Sequence, residues 1–432
     1  MTRRRIVAVL AIVAGVAVLA STASALTGRR GEDDTPQPRA ALAHSGAQRV
    51  IAAAQDKLRR SPKDAATWAL LGSSYVEQAR ITGDPSYYGK AQGALETSLE
   101  LRPADNGPAL LGLGALANAR HDFGAARDLA ERARVLLPDT AEVYGVLADA
   151  LTQLGDATEA AAAVQRMLDL EPGVASFTRA AYDFEQRGDL DAARHALDRA
   201  LEAASTPADV VFCRYHLGEL AWDDGDPDLA AEHYGRGLLL DPQDVTLLHG
   251  MAKVAAARGD VNAALTGYAD VVRRVPAPRY LREYADLLGS HGREADAAAQ
   301  FTVLERQFEL SRAAGGADDL EGSVVAVDRG DTAQALRLAE AEWGRRQHAL
   351  VADALAWALH LNGRHAEALG MAERAAATGW RHAGFAYHRG MILAALGRTA
   401  EAITALEEAL RINPHFSFTD ASKARDTLAG LR

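Results

Sequence analysis

Thirteen histidines and one cysteine are the side chains of this 432-residue chain best suited to holding a metal or moving a proton near neutral pH. Four of them, His360, His365, His382 and His388, fall close together. His360 and His365 straddle an expected turn and His382 precedes the next expected helix. The i, i+4 spacing that aims two imidazoles at one ion is therefore missing, and no cysteine assists. Cys213, between Phe212 and Tyr215, is expected to be a small apolar filler, and a lone cysteine can form no intramolecular disulfide. H-E-x-x-H, G-x-S-x-G, a P-loop and a glycine-rich dinucleotide turn are all absent. We therefore expect no cofactor, no metal and no enzyme. Three Arg-Gly-Asp triplets, at 187–189, 258–260 and 329–331, would suit cell adhesion were they not evenly spaced along the chain. They belong to something periodic.

The period is visible in glycine. Gly155, Gly188, Gly225, Gly259, Gly292, Gly330, Gly363 and Gly397 follow one another at nearly constant intervals, each close to the length of one helical-hairpin repeat. A fixed repeat of that length means stacked helical hairpins, each burying its apolar face against its neighbours. The expected fold is all-α, an α-solenoid of stacked antiparallel helix pairs. Glycine in each turn supplies the left-handed conformation that ends the first helix, and the Asp that often follows caps the second. Pro103, Pro138, Pro172, Pro207, Pro242, Pro276 and Pro414 are expected to stop the second helix of their pairs. Between Tyr75 and Ala91 the first pair carries extra residues, and Ile81–Lys90 is expected to bulge from the turn.

The clearest copy runs Trp68, Leu71, Gly72, Tyr75, then Ala91 and Pro103. Later copies read Leu147, Leu151, Gly155, Ala160, Pro172; Leu217, Gly218, Gly225, Ala230, Tyr234, Pro242; Met251, Gly259, Ala264, Tyr268, Pro276; and Gly390, Gly397, Ala402, Ala409, Pro414. This pattern resembles the tetratricopeptide repeat over roughly residues 46–414. His121 departs from it by standing at a turn glycine's place, and the copy near 316–345 lacks the Leu-Gly pair and the closing proline. The resemblance implies a right-handed superhelix whose concave face, lined by the first helix of each pair, receives a peptide or a helix of a protein partner. Aligning the turns puts Asp149, Tyr182, Glu185, Phe212, Tyr215, Glu219, Trp222 and Asp223 on that face, followed by Lys253, Arg279 and Arg282, then Trp357 and Tyr387. Two aromatic groups flanking a basic patch would anchor a partner and set its direction. Phe212, Trp222 and Trp357 could equally be packed between helices. As a groove residue, Glu219 is expected to tolerate reversal to Lys. The alternative function is a carrier or sensor of a small ligand or metal, using the aromatic and His residues of the last repeats.

Arg3, Arg4 and Arg5, the apolar run Ile6–Ala20 and Ala23-Ser24-Ala25 read as an export signal cut before Leu26, or as an uncleaved anchor spanning Ile6–Leu26. Either places the repeats outside the cytoplasm, secreted or membrane-attached only through this segment. Lysine is scarce against arginine, as in a high-GC bacterial genome. The expected division is therefore 1–25 signal or anchor, 26–43 disordered tether, 44–62 capping helix, 63–414 about ten repeats and 415–432 a second capping helix. The net charge of −11, which becomes −14 without the three Arg of residues 1–25, repels phosphate backbones and excludes nucleic acid as a partner.

Overall fold

The computed structural model describes residues 39–432 apart from 314, 315 and 317. The expected export or anchor segment lies outside the described residues. Among them the chain forms twenty-two α-helices and no strand. A leading helix, α1 (Arg39–Arg60), takes in the last residues of the expected tether. Ten antiparallel pairs follow. They begin with α2 (Ala65–Thr82) and α3 (Ser86–Leu101), α4 (Gly107–Ala119) and α5 (Phe123–Leu136), α6 (Ala141–Leu154) and α7 (Ala157–Leu170). Next come α8 (Val174–Gln186) and α9 (Leu190–Ala203), α10 (Pro207–Asp223) and α11 (Pro227–Leu238), α12 (Val245–Ala257) and α13 (Val261–Arg274). The array continues with α14 (Pro278–Ser290) and α15 (Glu294–Ala313), α16 (Asp319–Asp328) and α17 (Thr332–Arg345). It ends with α18 (Ala349–Leu361) and α19 (His365–Ala376), α20 (Ala383–Ala395) and α21 (Thr399–Ile412), and the closing helix α22 (Asp420–Leu431). No described helix is long and apolar enough to cross a membrane.

The turns behave as their residues dictate. All eight periodic glycines have positive φ, between 72° and 89°. Asp189, Asp226, Asp260 and Asp331, each just after one of them, accept a backbone N–H of the following helix. His121 adopts φ 62° without being glycine, its ring stacked on Phe123 at 5.4 Å. Pro207 departs from expectation. It opens α10 behind the Thr206 cap, where a missing N–H costs nothing, instead of closing α9. The surplus of the first pair does not bulge either. It lengthens α2 and α3, leaving a turn of Gly83–Pro85, because the longer helices bury Tyr88 against Ala79, Ala91 and Leu116.

Small residues set the helix spacing. Tyr234 of α11 is fully buried between Gly218 and Gly250, where a β-carbon on Gly250 would lie 2.6 Å from its ring. At Gly72 a β-carbon would fall 2.9 Å from Leu95 Cδ2 and 3.1 Å from the Ala91 carbonyl. The first helices of successive pairs pack on one another along most of the array, as α2 on α4, α6 on α8, α10 on α12 and α18 on α20. Neighbouring second helices do not pack so closely. The first helices therefore crowd the inside of the curve.

That curve closes on itself. The turns that end α6, α8 and α10 meet the connections that follow α17, α19 and α21, far along the chain. His348 Nε2 lies 2.8 Å from Gln186 Oε1, and Asn413 Nδ2 donates to the Trp222 carbonyl at 2.8 Å. Arg346, buried, pairs with the buried Glu342, reaches Gln153 and lies over the Phe123 ring at 5.2 Å. Arg381 pairs with Asp224 at 3.3 Å. Backbone meets backbone at three glycines. A β-carbon on Gly155 would sit 2.7 Å from the Gln347 carbonyl oxygen, and one on Gly188 or Gly225 closer still to those of Gly379 and Ile412. Gly259, Gly292, Gly330, Gly363 and Gly397 have nothing within 4 Å of that position.

Gly188 (φ 75°) and Gly259 (φ 78°) thus carry equal backbone strain on substitution but unequal contacts. Gly259→Ala is expected to cost about 1 kcal/mol for the left-handed backbone alone. Gly188→Ala is expected to add about 1–3 kcal/mol of overpacking against Gly379 and to enlarge the radius of gyration as the two turns part. Denaturant titration with small-angle scattering on both variants separates the two effects.

Candidate functional site

The charged side chains of the inner helices form a ladder of ion pairs, most rungs joining consecutive first helices. Between α6 and α8, Arg179 donates twice to Asp149, at 2.8 Å each. Between α10 and α12, Lys253 Nζ donates to both Glu219 oxygens at 2.9 and 3.0 Å, and the Tyr234 hydroxyl donates to the same carboxylate at 2.6 Å. Between α12 and α14, His249 Nε2 lies 2.6 Å from Glu283, which also accepts from the Tyr268 hydroxyl at 2.9 Å. Arg279 donates to the Tyr215 hydroxyl at 2.9 Å, with its guanidinium 3.9 and 4.0 Å from Glu219 and Glu283. Arg282 pairs with Glu321 of α16 at 3.2 Å, and His388 of α20 with Asp353 of α18 at 2.8 Å. Burial alone would raise the Glu219 carboxyl, but Lys253, Arg279 and His249 hold it down at about 2. Burial would likewise raise Glu283, and His249 with Arg279 and Lys253 overcomes that rise and holds it well below the ordinary carboxylate range.

One rung has no ion pair of its own among the described residues. Between α8 and α10 the acids Glu185 and Asp223 stand on facing helices. Burial, then the charge of Asp223, pushes Glu185 up to about 8, although the Trp380 side chain donates a hydrogen bond to it. Burial, then Glu219, lifts Asp223 to about 7. Asp223 is enclosed by protein yet exposed to solvent inside the curve, so water screens it and its shift is the softer of the two.

The residues expected to meet a partner are thus distributed unevenly. Asp149, Glu219, Lys253, Arg279 and Arg282 are all engaged with one another or with Arg179 and Glu321. Trp222 is buried beneath the Lys253 ammonium, 4.9 Å from its ring, and Tyr387 is fully buried. Tyr182 meets Trp380 edge-on at 5.9 Å, and Phe212 meets His216 at 4.4 Å. Trp357 is sandwiched between His360 at 5.0 Å and His388 at 4.3 Å. Of these expected residues, Glu185 and Asp223 are the acids that lie on the inner face outside any ion pair. Glu219, expected to tolerate reversal, sits between the Lys253 and Arg279 cations instead. The α18–α19 turn also brings together what the spacing was expected to keep apart, His360 Nδ1 and His365 Nδ1, 3.2 Å from each other. No group of three or more potential ligands gathers among the described residues. Arg179, Glu283, Glu321 and Trp380 escaped the sequence reading, although Glu283 lies one repeat length after His249, as Lys253 does after Glu219.

Profiles of the tetratricopeptide repeat match residues 104–175, 178–245, 249–311 and 383–416, more than half of the chain. The chain belongs to the tetratricopeptide repeat family. No curated protein sequence matches it. Among solved structures, a thermophilic tetratricopeptide-repeat protein of Thermus thermophilus shares 22% identity over 40% of this chain and 91% of its own, with TM-score 0.36. A tetratricopeptide repeat protein of Parabacteroides merdae shares 18% over 60% and 98%, with TM-score 0.36. Yeast Tom70 shares 13% over 90% and 96%, with TM-score 0.33. Tetratricopeptide repeats build protein-interaction scaffolds, typically without catalysis, and in this array the inner helices supply the scaffold's charged face.

Two expectations follow from the ladder. Glu219→Lys leaves Lys253 and Arg279 beside a third cation and is expected to cost about 3 kcal/mol or more, read by urea denaturation. For Glu185 and Asp223 the folded carboxyls are raised, so their stabilising contribution is full below the ordinary carboxylate range and is lost as pH rises through about 7 and 8. The Glu185→Gln/Asp223→Asn variant is therefore expected to gain stability relative to the parent as pH rises from about 5 to about 8. The histidines, common to both proteins, cancel in that comparison. A difference in melting temperature that does not change with pH would contradict the assignment.

Proposed function

We propose that this protein is a non-catalytic scaffold on the extracytoplasmic side of a bacterial cytoplasmic membrane, and that it holds a segment of a protein partner, peptide or helix, along the inner face of its repeats. The location rests on Arg3–Arg5, the apolar run after them and the Ala23-Ser24-Ala25 site. The observation that carries the binding reading is the rung without an ion pair. Every other acid discussed on the ladder is held in an ion pair, whereas Glu185 and Asp223 are in none among the described residues, and the pull of Lys253 and Arg279 on Asp223 does not offset its burial and the charge of Glu219. A partner's Lys or Arg placed there would complete the ladder as a charge-assisted pair in a partly dehydrated setting. The overall negative charge favours the approach of such a partner.

A second reading has one observation in its favour. The facing His360 and His365 nitrogens beside the stacked Trp357 could seat a small ligand or a metal ion. A thermal shift on adding zinc or nickel, lost in His365→Ala, would support it.

The primary reading is tested by crosslinking capture from native envelope, with mass spectrometry of bait and prey. One dominant prey protein is expected, its recovery falling about tenfold or more with Glu185→Gln/Asp223→Asn, as loss of one partner of a desolvated charge pair requires. The bait's first peptide is expected to begin at Leu26 or to retain residues 1–25, and recovery of the bait from the cytosolic fraction alone would overturn the location. Equal recovery of prey by the variant would overturn the binding rung.

A further inference from the structure

Resting on the reading of the inner helices as a partner groove, we propose that residues 413–420 are a built-in occupant of one wall of that groove. The partner that takes their place is a non-helical segment with two aromatic residues separated by a single residue, followed by a hydroxyl residue and an acid.

The connection between α21 and α22, Asn413-Pro414-His415-Phe416-Ser417-Phe418-Thr419, runs without helix. It does not simply turn the chain. Asn413 fastens it to the Trp222 carbonyl of α10. Phe416 meets Tyr387 at a tilt, ring centres 5.5 Å apart. Phe418 then reaches α12–α15, edge-on to Tyr268 at 6.0 Å, and packs against the buried cluster that includes Tyr284 and Leu288. Asp420, at the start of α22, accepts from the Tyr387 hydroxyl at 3.5 Å.

The decisive contact is Asp286. It lies on α14 one helical turn beyond Arg282, on the same face. Its donors come from the strap: the Ser417 hydroxyl at 3.4 Å, the Phe418 backbone N–H and the Thr419 side chain. A half-buried carboxylate whose hydrogen bonds come from a connecting segment leaves that wall incomplete when the segment lifts. The wall then offers an acceptor, an aromatic socket lined by Tyr268 and Tyr284, and the Tyr387 hydroxyl that Asp420 otherwise holds. Those are the complements of a backbone N–H with hydroxyls, a phenyl ring and a carboxylate.

The test uses a fluorescent synthetic peptide of residues 411–421 and the full-length protein. Anisotropy is expected to show the peptide binding a Ser417→Ala/Phe418→Ala variant at least tenfold more tightly than the wild type, whose own strap competes. A peptide with both phenylalanines changed to alanine is expected to bind neither. Equal affinity for wild type and variant, or no binding to a variant that keeps its helical circular dichroism, would overturn the proposal. Should the variant not fold, the wild type is titrated with the same peptide while hydrogen exchange is followed. Faster exchange in 413–420 at high peptide supports displacement, and exchange unchanged at millimolar peptide overturns it. Neither readout depends on Glu185 or Asp223. Peptide displacement without prey capture would leave the strap standing and sink the partner reading, and prey capture without displacement would do the reverse.

Discussion

Gly155, Gly188 and Gly225 bring two backbones, distant from each other along the chain, closer than any side chain would allow. Their positive φ already excludes most residues for a local reason, since each ends an inner helix. The close approach excludes them for a second reason. It lets the connections after α17, α19 and α21 lie directly on the earlier turns, where Asn413, His348 and Arg346 finish hydrogen bonds that those turns would otherwise give to water. The three turns then sit behind a second layer of protein. The curvature produced by small residues such as Gly72, Gly218 and Gly250 becomes an enclosure because the seam holds it.

Enclosure is what makes the ladder necessary. Charged residues on an open concave surface would be hydrated and nearly independent. Behind the seam, each acid must find a donor or give up its charge. Glu219 and Glu283 take the first course and stay ionised well below the ordinary range, among Lys253, His249 and Arg279. Glu185 and Asp223 take the second, pushed upward by burial and by each other or by Glu219. Asp328, raised to about 7 by burial against the pull of Arg282, marks a third such position further along the array. The inner face is therefore a balanced network with a few protonatable gaps, rather than a uniformly acidic groove.

The fold class was legible because one signal repeats. Glycine at the turns, Asp after it and Pro near the end of the second helix recur at a period no globular domain would produce. The individual deviations have local causes that a period hides, as when Tyr88 drew the expected bulge into two longer helices and Pro207 began a helix instead of ending one. The inner face was located by the same alignment, but the state of its residues was not. Glu219, Lys253, Arg279 and Arg282 lie there and are mutually satisfied, and the clue was present as opposite charges one repeat apart. Glu219 precedes Lys253, and His249 precedes Glu283, by the same single repeat length. The seam had no such clue. Gln186 and His348 are 162 residues apart, and that separation follows from curvature accumulated over several pairs rather than from any motif.

Closure also removes a freedom that repeat arrays ordinarily have. In an open solenoid each unit touches only its neighbours, so units can be added or lost with a nearly additive change in stability. In this array Gly155 must meet Gln347, Gly188 must meet Gly379 and Gly225 must meet Ile412, three contacts whose sequence separations agree to within a few residues. Inserting one pair anywhere between the two sides would move every later connection by about a repeat and set it against the wrong turn. The number of pairs between α6 and α21 is thus fixed by the seam. The irregular copy at α16–α17, with no Leu-Gly pair and no closing proline, can persist because its length still delivers Arg346, paired with Glu342, to Gln153 and Phe123. Its sequence is free to drift in the signals that define a repeat, provided that the arc it spans does not change.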